Sequence, residues 1–386
     1  MSADSAANNV NHYAKQVART LRLTIAILSL MAFRFASAQN AVHDPDRALL
    51  VTSDIPNFWL AYDRAQHVES RDERARLYRE MYIRPGSAGL QDWTKLRLES
   101  GEGLIPVLVA KGWTEARLRS GRAFTDSERV RLQRDTAGMG DLLAGYNLDA
   151  AVQRRPRFFA AIRPVTLAVD TARVVKEAIR RSYHRLADLY PAAAFPPVYF
   201  VVGQLTSGGT SSDAGQLIGI EMHARTSNTP VDELSPWERR VVGGIDALPG
   251  IVAHELIHSE AALARGRVDD ESAQRTLLAK ALDEGCASFL GQLISDGAIA
   301  NANSYGMTHE AKLWREFQQE MNGTKTDNWL YQGDKSKDRP ADLGYFVGSR
   351  ICQSYYEHAK DKHLAVTDIL RMTDPAAFVW QSGYAP

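Results

Sequence analysis

Apolar and polar positions recur along this chain with two different periods, and the change from one to the other organises it. From 95 to 190 the pattern is charged and helical, clearest over 171–190, where Val175, Ile179, Leu186 and Leu189 fall near one face. Pro191 and the pair Pro196 and Pro197 close that stretch. Upstream, Phe58, Trp59 and Tyr62 give an apolar face to a helix begun near Pro56, which Thr52, Ser53 or Asp54 can cap. Pro85, Gly86 and Gly89 predict a turn before helical periodicity resumes. β-Branched and aromatic residues take over at 198–202, and 216–223 alternates with Ile218, Ile220 and Met222 on one side. These predict two strands joined by a glycine- and serine-rich loop, 206–215.

Helical spacing returns from 251 and stops near Arg265, with Gly266 placed as the residue after the cap. A further helix runs from 277 to about 296, with Asp269 and Asp270 as its candidate caps, followed by a section over 301–338 rich in Tyr, Gly, Asn and Asp. Asp342 can cap a later helix whose apolar face is Leu343, Phe346, Val347 and Ile351. The fold class is therefore α+β and predominantly helical, with a helical N-terminal region over 39–190 and a second region over 191–386.

The first 38 residues read differently. Lys15, Arg19 and Arg22 precede an apolar run over 23–33, and Ala36, Ser37 and Ala38 supply the small residues of an export-signal cleavage site. The run is too short to span a bilayer stably, so no stable membrane insertion is expected after cleavage near Ala38. Export places the protein in the periplasm or outside the cell, with an uncleaved N-terminal anchor as the competing reading. The 386 residues carry 46 basic and 46 acidic side chains, so the charge recommends neither nucleic acid nor an anionic surface as partner. Basic clusters such as Arg154, Arg155 and Arg157 read as solvated helix faces. With two cysteines the chain is no disulfide scaffold; Cys286 and Cys352 either form one bridge or remain two buried thiols.

The candidate chemistry lies in IVAHELIHSE, 251–260. Residues four apart share a helix face, so His254 and His258 can present imidazole nitrogens to one ion while Glu255 reaches a water on it. Hydrolytic zinc usually takes three protein ligands and keeps a fourth position for water. Glu284, in LLAKALDEGCASFL, is the candidate third ligand; Asp283 beside it points about 100° away on a helix.

These residues resemble the gluzincin metallopeptidases, the thermolysin-like clan in which an HExxH helix is followed by a helix supplying a glutamate ligand. The resemblance implies a zincin-type core with paired metal helices, one Zn2+ held by His254, His258 and Glu284, and Glu255 as general base. It implies a small sheet whose edge strand lines the cleft, and a peptide or protein substrate. Many gluzincins carry an aspartate four residues after the glutamate to orient a ligand histidine; here that position is Ser288. Tyr345 is the candidate oxyanion donor, or else an aromatic packing residue, and Arg339 is a weaker candidate. The stretches 51–65 and 83–93 are loosely similar to the opening of an uncharacterised bacterial family of predicted zinc-dependent proteases. Gly208 and Gly209 either bring backbone close to substrate or form a flexible hairpin loop; His223 and His184 read as structural histidines. The rival function is a non-catalytic cell-envelope protein that binds a peptide or partner, its metal site structural or vestigial.

Overall fold

The computed structural model describes residues 41–97, 104–119, 124–266, 275–295, 303–336 and 338–386. The expected export signal and the candidate caps Asp269 and Asp270 lie outside them. The described residues are predominantly helical with one small mixed sheet, an α+β arrangement. They fall into two compact units, Pro56–Arg154 and a second built from Arg155–Pro386 with the segment before Pro56. The helical stretch 39–190 read from the sequence is thus divided, with 155–190 joining the second unit. There the helix Arg173–Leu189 buries Ile179, Tyr183 and Leu186, and Tyr183 stacks on Phe195 with ring centroids 4.8 Å apart.

The first unit is held by aromatic packing and one buried ion pair. Phe58 lies 5.0 Å from Trp59, 5.8 Å from Tyr78 and 5.3 Å from Tyr82, centroid to centroid. Arg74, on the helix Arg71–Tyr78, meets Asp149 of the helix Gly140–Arg154 through two hydrogen bonds, at 2.7 and 3.2 Å. These helices touch where Gly145 faces Ala75; a Cβ on Gly145 would come within 2.2 Å of the Ala75 carbonyl oxygen. Gly89 lies within the helix Ala88–Arg97, so the turn is made by the residues just before it.

The sheet of the second unit has the order β1-β2-β4-β3, with β1 Leu50–Val51, β2 Val198–Val201, β3 Gly209–Ser211 and β4 Gln216–Gly219. β1, β2 and β4 run parallel, and β3 returns antiparallel to β4 as the outer strand. Two expectations are corrected here. The loop 206–215 contains a strand, because Gly209, Thr210 and Ser211 pair with Ile218, Leu217 and Gln216. The strand expected over 216–223 ends at Gly219, and Ile220–His223 is a 3-10 turn. The turn is drawn inward by its acid: Glu221 is buried and accepts backbone hydrogen bonds from Gly203 and Leu205 at 2.7 and 3.1 Å.

The section 301–338 is marked in the sequence only by its composition. Its first half is the helix Asn303–Glu320, which buries Leu313, Trp314 and Phe317 at helical spacing despite its turn-prone composition. Of the basic cluster, Arg154 and Arg157 are exposed as expected, Arg157 pairing with Asp232 and Glu233 at the surface, whereas Arg155 makes a largely buried pair with Glu238 at 2.6 Å. His184 is half exposed beside Asp46, not a core residue. No helix among the described residues is long and apolar enough to cross a membrane.

Candidate metal centre

The helix Leu248–Ala264 carries both histidines through the interior. Leu248, Val252, Ala253, Leu256 and Ile257 are buried on several sides of it, as expected of a helix enclosed by its neighbours. Pro249 begins it, Arg265 caps it and Gly266, at φ 67°, ends it, as the spacing predicts. Four-residue spacing brings the imidazoles together, with Nε2 of His254 and Nε2 of His258 3.1 Å apart.

The glutamate helix, Leu277–Ile294, begins at Thr276, whose hydroxyl accepts from the backbone of Ala279. Glycines set its distance from both neighbours. Gly291 faces His254, where an added Cβ would lie 3.0 Å from the His254 backbone nitrogen. On the other side Gly285 meets Gly348 of the helix Leu343–His358, and a Cβ on Gly285 would come within 2.2 Å of the Gly348 carbonyl carbon. One residue further on, Cys286 is bonded to Cys352, with Cα atoms 5.5 Å apart, inside the range a disulfide spans. Of the two states left open for these cysteines, the bridge is the one observed.

This packing delivers Glu284 Oε2 to 3.6 Å from His254 Nε2 and 3.4 Å from His258 Nε2. Four ligands at 2.0–2.1 Å around a tetrahedral zinc are separated from each other by about 3.3 Å. The triangle of 3.1, 3.4 and 3.6 Å therefore has the size that one such ion requires. Two imidazoles and one carboxylate also match the ligand types of hydrolytic zinc. Asp283 takes no part; it is paired with Arg265 at 2.9 Å and Arg275 at 2.5 Å.

Glu284 and His258 tune one another. Burial alone would raise the Glu284 carboxyl, but His254 and His258 hold it well below the usual carboxylate range. Burial pulls His258 down, and the Glu284 carboxylate reverses this and lifts it to about 9. Ser288, where an aspartate is common in the resembling family, is buried with its hydroxyl 3.4 Å from His254 Nδ1. The orienting contact is thus made by a hydroxyl, which lends the imidazole less basicity than a carboxylate would.

Glu255 points from the same helix towards the outer strand and is 8% exposed. A Cβ on Gly209 would come within 2.7 Å of Glu255 Oε1, so glycine is what lets β3 lie against this carboxylate. Ser211 Oγ also donates to the Glu255 carbonyl, at 3.4 Å. His223 holds the start of the strand through an Nε2 hydrogen bond to the Gly208 carbonyl at 3.0 Å, and burial pushes its pKa down to about 4. The close backbone approach read from Gly208 and Gly209 is therefore made to Glu255 and His223.

Tyr345 lies at the centre, its ring stacked near that of His254 at 6.5 Å between centroids. Its phenol is raised well above the ordinary value by burial first and then by the negative charge of Glu284. Arg339 is committed elsewhere: it pairs with Glu316 at 2.8 Å, donates to the Asn328 carbonyl and lies over the Trp329 ring. Asp342 occupies the N-cap position without capping, because its carboxylate accepts from the backbone of Gln332 instead. Sequence reasoning missed Tyr331, whose hydroxyl donates to Glu284 Oε1 at 2.9 Å. No motif marks it, since its placement depends on a left-handed backbone angle. No protein-family model, curated protein or solved structure matches this chain, so its site is read from its own geometry.

Proposed function

We propose that the chain is an exported zinc-dependent metallopeptidase of gluzincin type, in which His254, His258 and Glu284 hold the metal. The observation that carries this reading is the triangle of ligand atoms, whose edges of 3.1 to 3.6 Å suit a single tetrahedral ion. The chemistry that zinc supplies when bound by such a set is a water pKa lowered towards about 7 and polarisation of a carbonyl. Glu255 takes the proton as water attacks the carbonyl carbon, and returns it to the amine nitrogen as the C–N bond breaks. Tyr345 donates to the oxygen on which negative charge develops. A peptide substrate is favoured by β3, which lies at the outer edge of the sheet beside Glu255 and offers backbone for an extended chain to pair with. Export is supported by the Cys286–Cys352 bridge, since such bonds persist in oxidising compartments.

The test is Glu255→Gln, assayed on a peptide library alongside the wild type with metal content measured in both. The expected result is turnover lowered by about 10²- to 10⁴-fold with zinc retained. Wild-type turnover in Glu255→Gln would overturn the mechanism.

A further inference from the structure

The two oxygens of Glu284 face different partners. Oε2 is turned to the imidazoles, while Oε1 accepts the hydrogen bond of Tyr331 at 2.9 Å. Tyr331 belongs to neither metal helix; it lies in the connection between Asn303–Glu320 and Leu343–His358. Its backbone has φ 58°, a left-handed conformation that L residues with a large side chain adopt at a cost. Burial of the ring does not offset that cost, because Tyr331 is 58% exposed. What the conformation secures is the hydroxyl contact with Glu284.

The surrounding loop is built to hold this strain. Asp342 is also left-handed, at φ 63°, and the two segments clasp each other beside Tyr331. The Gln332 backbone donates to Asp342 Oδ1 at 3.0 Å, and the Asp342 backbone donates to Gln332 Oε1 at 2.9 Å. On the other side, the Gly344 backbone donates to the carbonyl of Trp329, a fully buried residue, at 2.8 Å. Strain that persists because its surroundings enforce it points to a functional demand.

We propose that Tyr331 is a positioning residue that occupies Glu284 Oε1, so that the carboxylate meets the metal through Oε2 alone and a coordination position stays open. This rests on the reading of His254, His258 and Glu284 as the metal ligands. A glutamate binding through both oxygens would fill the position that a hydrolytic site keeps for water. Tyr331 therefore governs coordination number without touching the reacting atoms.

The experiment uses the full chain with Tyr331→Phe and Tyr331→Gly, and cobalt(II) as a spectroscopic probe in place of zinc. The wild type is expected to show the intense visible bands of four-coordinate cobalt. Both variants should bind one cobalt per chain yet lose that absorbance severalfold, as five-coordinate cobalt does. Thermal melts of the metal-free proteins separate positioning from scaffolding: Tyr331→Gly relieves the left-handed strain and should melt at or above the wild-type temperature. Variants with the wild-type cobalt spectrum would overturn the role of Tyr331 and leave the metal centre standing. A lower melting temperature for Tyr331→Gly with an unaltered spectrum would make the residue structural. Failure of the wild type to take up cobalt would overturn this inference together with the ligand assignment beneath it.

Discussion

Replacing Gly348 with alanine opposes two effects of different sign and size. Gly348 lies inside the helix Leu343–His358, where alanine is favoured over glycine by about 1 kcal/mol on intrinsic propensity. Yet the added Cβ would lie 1.8 Å from the Ala281 carbonyl oxygen and 2.6 Å from its carbon, both backbone atoms that no rotamer change can move. Ordinary contact is about 3.5 Å, so the two helices must part by more than about 1 Å. The Cys286–Cys352 bond ties the same helices together and resists that movement. Overpacking of a close-packed interface typically costs about 1–3 kcal/mol, and this overlap belongs at or beyond the upper end. The net effect is a destabilisation of about 2 kcal/mol, or roughly 5 °C in melting temperature for a unit of this size. Denaturant unfolding of wild type and Gly348→Ala measures it, with Gly140→Ala as the control. Gly140 is the first residue of its helix with nothing near its absent Cβ, so alanine there should stabilise by up to about 1 kcal/mol. If Gly348→Ala is as stable as the wild type, propensity has won and the close crossing is not real.

Three further outcomes are expected. His223 has a folded pKa of about 4 because burial disfavours its charged form, against an ordinary 6.5. Its contribution to stability is complete above pH 6.5, declines as the unfolded chain takes up a proton that the folded chain refuses, and is lost by about pH 4. The loss amounts to about 3 kcal/mol across that window, and unfolding curves for His223→Gln should lack it. Ser288→Asp should tighten zinc binding by about tenfold and Ser288→Ala should weaken it, read by chelator competition; equal affinities would remove the contact with His254 from the account. Removing the disulfide, which spans a sequence separation of 66 residues, should cost about 4 kcal/mol in the loop-entropy picture. Reductant and the double alanine variant should shift unfolding alike, and insensitivity to both would mean that the thiols are not bonded.

The clustering of the two candidate histidine ligands was legible because helical spacing is a strict geometric rule. Once 251–260 reads as helix, His254 and His258 must share a face, and their nitrogens do lie 3.1 Å apart. The predominantly helical α+β class followed from the same periodicity. What remained hidden depends on the path of backbone between helices. A Gly/Ser-rich segment such as 206–215 carries no apolar alternation, so nothing in it announces that Gly209 to Ser211 pairs with β4 against Glu255. The alternation over 216–223 suits a strand equally well past Gly219, and only the buried Glu221, bonded to Gly203 and Leu205, turns the chain there. Tyr331 is illegible for a related reason: a left-handed aromatic residue breaks local preference, and the clasp that enforces it joins residues 332 and 342, each donating its backbone N–H to the other's side-chain oxygen. Ser288 shows the converse. Its departure from the pattern of the gluzincins that the motif resembles was plain in the sequence, but only the structure shows its hydroxyl facing His254.

Whether His254, His258 and Glu284 hold a metal is decided by measuring bound metal. The full chain and the variants His254→Ala and Glu284→Ala should be saturated with zinc, freed of excess by exhaustive dialysis and analysed for bound metal. About one zinc per wild-type chain is expected, and little or none in either variant, because each removes one corner of a three-ligand site. A wild-type protein that retains no zinc, or variants that retain as much as the wild type, would contradict the three-ligand assignment.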